Sequence, residues 1–191
     1  MDDTPFDPTS AVTFELESGR VFVKDETRHA LVPLLELRRL CDSAGKVATQ
    51  GFARMIGKAM AQRMLHSMSK DSAKPSDVSI EEFVSHVGGQ FALVGFGTIT
   101  VETWGSALML IVQHNELSVD FVAALLSASI EQLLNEPVEC VAVQHQQQTS
   151  RLLVTSDASR EQVATWYRQG IPWHEMIARL HTASIAPDVT P

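Results

Sequence analysis

The chain has 191 residues, of which 45% are hydrophobic and 20% charged, and a net charge of −8. That length and apolar share suffice for one sizeable core, so a single domain with a small appendage is expected. Lys and Arg are scattered, mostly between Arg38 and Lys70, which excludes a phosphate-tracking nucleic-acid surface. No apolar run approaches the roughly 20 residues that span a bilayer. The acidic start through Pro5 and Pro8 is not built like a signal peptide, so a cytoplasmic location is expected. Two cysteines, Cys41 and Cys140, lie far apart and do not suggest a disulfide-stapled scaffold.

Residues 1–10 read as a disordered lead-in. Val12, Phe14 and Leu16 then alternate, as do Val21 and Val23 beyond Ser18-Gly19, which predicts a short hairpin or strand pair. Leu34, Leu37 and Leu40 share a helical face, and Asp42 to Gly45 interrupts it. A longer helix is expected over 46–68, with Phe52, Met55, Ile56, Met60, Met64 and Leu65 spaced by three and four. Gly51, Ala53 and Gly57 lie inside it, and small residues there admit a close second backbone. This stripe reads first as core, and otherwise as a dimer face or a ligand channel.

A polar break at 69–77 precedes Ser79, whose hydroxyl with Glu82 three residues on forms a capping-box pattern. The helix it opens is expected to end near Gly88-Gly89 or shortly beyond. Residues 95–101 and 107–112 read as strands with Trp104-Gly105 between them. Ser118 caps a helix that runs to about Leu134 and stops at Asn135-Glu136-Pro137. Residues 138–143 and 151–155 read as a second hairpin, joined through His145 and three glutamines. Two short helices, 160–169 and 173–181, follow, and 183–191 reads as a frayed tail.

No H-E-x-x-H, G-x-S-x-G or phosphate-loop pattern is present, and Gly95-Phe96-Gly97 lacks the third glycine of a dinucleotide site. His145 reads as a solvated loop residue. Asp120 reads as a first-turn acid at a helix start rather than as Glu131's partner in acid–base work. Trp166, Tyr167 and Trp173 fall within eight residues, so they either pack back on the domain or form a partner surface.

Four stretches carry a resemblance. These are Gly95-Phe96-Gly97 opening a strand, the run Ser118 to Leu126, the stretch Glu131 to Glu139 across Pro137, and the closing Ser150-Arg151-Leu152. With the glycine-bearing helix from Gly51 to Met64, they resemble the 4-vinyl-reductase-like (hydrocarbon-binding) domain over residues 11–156. That domain shares its fold with TRAPP vesicle-tethering core subunits and is distantly similar to haem-nitric-oxide-binding domains. The resemblance implies an α+β fold, with helices on a small, largely antiparallel sheet of about four to five strands; the C-terminal helical appendage at 157–182 falls outside it. The resemblance also implies dimers and an apolar pocket. At the family's zinc positions this chain has Val119, Ala142, His145 and Ser150, so no zinc is expected. Cys41 is read as an inert buried thiol rather than an acyl acceptor.

The expected protein is a non-catalytic, regulatory binding or scaffold protein, a homodimer with protein partners and no cofactor. The alternatives are a sensor holding a small apolar ligand and an accessory factor to a reductase. Ligand-pocket candidates are Phe52, Met55, Met60, Trp104, Met109 and Phe121. Interface candidates are Gly51, Gly57, Trp166, Tyr167 and Trp173.

Overall fold

The computed structural model describes residues 12–23, 27–70, 80–105 and 107–185. The lead-in at 1–10, the Ser79 cap and the tail beyond residue 185 lie outside these residues.

The first elements are β1 (Val12–Glu15), β2 (Arg20–Val23) and β3 (Thr27–His29), which form an antiparallel three-stranded sheet in that order. Helix α1 (Leu34–Ala44) follows, and Gly45 (φ 81°) turns the chain directly into α2 (Lys46–Lys70). The Thr49 hydroxyl donates to the Cys41 carbonyl at 2.7 Å and straps the two helices at their junction.

Next come α3 (Ile80–Leu93), β4 (Thr98–Trp104), β5 (Ala107–Gln113), α4 (Val119–Leu134), β6 (Glu139–Gln146) and β7 (Thr149–Thr155). The four strands form a second antiparallel sheet in the order β4-β5-β7-β6. The chain closes with α5 (Asp157–Arg168) and α6 (Trp173–Ile185). Helix α4 starts and stops where its sequence signals fall. The Ser118 side chain accepts the Phe121 N–H, and Asn135 takes the left-handed conformation (φ 53°) ahead of Pro137.

The second sheet lies between two helical layers because its strands alternate. Leu110, Val112 and Leu152 face α2, α3 and α4, and with Phe91, Phe121 and Leu125 they form the larger core. Met109, Ile111 and Leu153 face the other way, against Val163 of α5 and Met176 and Ile177 of α6. Val143 joins that outer core through a bulge between Ala142 and Gln144.

The expected fold class is corrected here. In place of one sheet of four to five strands there are two separate antiparallel sheets, of three and four strands, and six helices among the described residues. The early hairpin recruits Thr27–His29 as a third strand and pairs with none of β4 to β7. Alternating residues disclose a strand but not which strands it pairs with.

Helices α2 and α4 form the closest helix pair. A side chain at Gly57 would collide with the Leu125 carbonyl, whereas at Gly51 the space is open. Replacing Gly57 with Ala is therefore expected to cost about 3 kcal/mol by overpacking. Gly51→Ala is expected to stabilise by about 0.5–1 kcal/mol through helix propensity alone. Urea denaturation of the two variants checks both signs.

Candidate functional site

The inner core contains a line of four phenylalanines. The Phe91 and Phe96 rings meet edge to face at 5.5 Å, Phe96 and Phe121 at 5.9 Å, and Phe121 and Phe52 at 6.3 Å. Such geometry sets the positive ring edge against the negative face of its neighbour. The line runs from Phe52, which is 39% exposed, to Phe91, which is fully buried. It lies where α2, the end of α3 and the start of α4 meet the sheet.

Each ring is positioned by local chemistry. Gly95 (φ 77°) and Gly97 (φ 109°) flank Phe96 and turn its ring inward, and a side chain at Gly97 would collide with the Gln113 carbonyl. This tripeptide, expected to open a strand, is a bend, and β4 begins at Thr98. Asn115 is buried and holds the β5–α4 loop by accepting the Leu117 N–H (3.0 Å) and donating to the Leu117 carbonyl (2.9 Å). That loop delivers Ser118, and the cap aims Phe121 at Phe96.

Polar groups tie the helices to the sheet behind the rings. The Ser127 hydroxyl donates to the Ala123 carbonyl at 2.7 Å and accepts the Cys140 N–H at 2.8 Å. Ser129 Oγ lies 3.0 Å from the Gly57 carbonyl and 3.1 Å from the Leu125 carbonyl, so it shares one proton between α2 and its own helix. Arg54 binds Glu131 at 2.6 Å and reaches Glu139 at 3.5 Å, which links α2 to α4 and β6. Sequence inspection had singled out none of these serines, nor Arg54.

The six pocket candidates separate into groups. Phe52, Met60 and Phe121 share the inner core or its rim. Met109 is buried on the opposite face of the sheet, with α5 and α6. Trp104 stands at the end of the sheet, 5.2 Å from Trp173, and Met55 is exposed. Among the interface candidates, Gly57 faces α4 inside the molecule and Gly51 faces open space. Trp166 and Trp173 pack against the outer core, stacked by Arg179 and Arg151 respectively, while Tyr167 is partly exposed. Phe91 and Phe96, absent from the candidate list, complete the ring line. The glycines flanking Phe96 were the signal that could have found it.

Among the described residues no group of three His, Cys, Asp or Glu could hold a metal ion. His145 Nδ1 lies 2.8 Å from Ser150 Oγ across the hairpin. Both cysteines are free thiols. Partial burial and the Asp42 charge raise the Cys41 thiol, against a lowering contact with Thr49. Burial pushes Cys140 from 9.0 up to about 12, partly offset by the Ser127 hydroxyl.

No family model matches the chain, and no curated protein matches it. Among solved structures it is similar to the crystal structure of the phenol-responsive sensory domain of the transcription activator PoxR with phenol. The identity is 14% and the TM-score 0.63, over 87% of this chain and 96% of that one. At that identity the likeness shows the fold alone. It overturns the expected 4-vinyl-reductase-like and TRAPP-like assignment. The residues behind that expectation were soft patterns of glycine, apolar residue and helix, which set neither the number of sheets nor their strand order. Among the described residues no helix is long and apolar enough to cross a membrane.

The Cys140 thiol gives a pH signature. A thiol raised on folding favours the native state below about pH 9, and that contribution is lost as pH climbs from 9 towards 12. The urea midpoint of the wild type should therefore fall further between about pH 8 and about pH 10.5 than that of Cys140→Ala. Equal declines would mean that the thiol is not buried as described.

Proposed function

We propose that this domain is a non-catalytic sensor that takes a small, apolar, aromatic ligand between its helices and its four-stranded sheet. The observation that carries the reading is the line of phenylalanines from the half-exposed Phe52 to the buried Phe91. An incoming aromatic ring can replace one edge-to-face partner with another once Phe52 swings aside. The solved domain of similar fold is described as phenol-responsive, which supports the same class of ligand. The polar sheet-to-helix ties behind the rings supply a rigid back wall, and β5 and β7 carry any displacement to the outer core.

Isothermal titration with phenol, 4-ethylphenol and naphthalene tests this reading. At least one should bind saturably, and Phe121→Leu, which keeps an apolar side chain, should weaken it about tenfold. Absence of binding by all three up to about 1 mM would contradict the reading.

A second reading, assembly through self-association, is favoured by a different observation. Phe14, Leu16, Leu31, Val32, Leu35, Leu40 and Val47 are large, apolar and exposed, and all lie on or beside the first sheet and α1. No described side chain of β1 to β3 joins either core, and so small a sheet needs a covering surface. A second copy of the chain fits that requirement, giving a dimeric sensor. Sedimentation velocity should show a dimer at micromolar concentration and a monomer for the Leu35→Glu, Val47→Glu double variant. A wild-type monomer would exclude the dimer.

A further inference from the structure

The β6 edge of the four-stranded sheet has features that neither the sensor nor the dimer uses. β6 pairs only with β7 among the described strands, so its other side is a free edge. The Cys140 N–H points away from β7, because it donates to Ser127 Oγ on α4. Alternation along the strand turns the N–H and C=O of Ala142, two residues on and just before the bulge, the same way. Ser127 covers the edge at Cys140. At Ala142 the edge opens into a cleft of about 470 Å³ between α2 and α4 on one side and α5 on the other.

This cleft is floored with small side chains, Ala123, Ala124, Ala142 and Ala164, so the backbone can be approached closely. It is also one end of a longer trench. Lys46, Gln50 and Asp120 line both it and a second cleft of about 210 Å³. Asp42 and Ser118 continue the second into a third of about 370 Å³, which ends at the β6–β7 turn. A trench of this length suits an extended chain better than a compact molecule.

The charges along it name the chemistry. Arg160 of α5 is half exposed, and among the described residues its ion pair is a loose one to Glu139 at 3.6 Å, beyond hydrogen-bonding distance. Lys46 is 67% exposed, and its contact with Asp120 is a surface pair of small worth that an incoming carboxylate can replace. Arg54, by contrast, is already committed to Glu131 at 2.6 Å. Where β6 is unpaired, Lys46, Arg54 and Arg160 line the cleft against Asp120 and Glu139, an excess of one cation, and Lys46 and Arg160 are the two held in the weaker pairs.

We propose that the β6 edge binds an extended, acidic peptide segment of a partner protein. The segment adds as a further strand at Ala142, with its carboxylates directed to Arg160 and Lys46. Strand addition supplies affinity through main-chain hydrogen bonds, and the flanking cations supply selectivity. The proposal does not depend on the aromatic ligand. It gives the domain a route to a second protein at the seam where α5 meets the inner helices.

The test is fluorescence anisotropy on the full chain with a dye-labelled, acetylated and amidated five-residue peptide of alternating valine and glutamate. The comparison peptide has lysine in place of glutamate. Saturable binding of the glutamate peptide, at least about tenfold tighter than the lysine peptide, is expected. Ala142→Pro removes the outward N–H at an edge position that tolerates proline, and Ala164→Trp fills the trench from α5. Each should weaken binding about tenfold or more, and Arg160→Glu should reverse the preference between the peptides. If Ala142→Pro fails to fold, Ala164→Trp carries the comparison alone. No binding of the glutamate peptide, no preference between the peptides, or wild-type affinity in Ala164→Trp would overturn the proposal.

Discussion

Helix α2 rests on α4 at Gly57, where the missing side chain lets the Leu125 carbonyl sit against the backbone. Ser129 fixes the crossing by sharing its hydroxyl proton between carbonyls of the two helices. Much of the inner layer depends on this contact. It sets the depth at which Ala53, Met60, Ala61 and Met64 enter the core. It also brings Phe52 to Phe121 and Arg54 to Glu131. One methyl group at Gly57 would separate the helices, and the ring line and the charge link would loosen together, because close-packed interiors pass on small volume changes.

The four-stranded sheet is the common wall of two cores. Neighbouring residues of β5 and β7 face opposite ways, so Leu110 and Leu152 belong to the inner layer and Met109 and Leu153 to the outer one. A change in packing at the phenylalanines thus reaches α5 and α6 through a single layer of backbone. The outer helices are anchored at the far end of the sheet by a compact cluster. Trp104 packs on Trp173, Arg151 stacks over Trp173 and binds Glu102 at 3.1 Å, and His181 hydrogen-bonds the Trp104 carbonyl at 3.0 Å. The same helix α5 that covers the outer core also forms one wall of the β6 trench. Interior, outer helices and edge groove are therefore mechanically adjacent.

Much of the secondary structure was legible in the sequence, because caps, glycines and prolines act locally. Ser118, Asn135 and Pro137 bound α4 as written, and Gly45 and Gly170 punctuate the helices on either side of them. The arrangement of the sheets was not legible, since it depends on which strands find each other across the chain. The apolar run from Ala107 to Val112 marks a buried strand but has no period that tells its faces apart, so Met109 was grouped with residues across the sheet. The stripe on α2 disclosed Phe52 and Met60, yet the sequence could not say that Met55 on the same helix faces outward. Ser127, Ser129 and Arg54 carry the polar ties, and no motif marks them because their partners lie on other elements. The family resemblance failed for a related reason. It rested on local patterns, whereas the fold is decided by long-range pairing.

The central claim is that an aromatic ligand enters on the inner face of the sheet, beside the α2–α4 crossing. A crystal soaked with 4-bromophenol and measured at the bromine edge locates the ligand without any assumption about the site. The account predicts an anomalous peak in van der Waals contact with Phe96 and Phe121, with Phe52 displaced. A peak only on the outer face, among Met109, Val163 and Met176, or only at the surface, would contradict it.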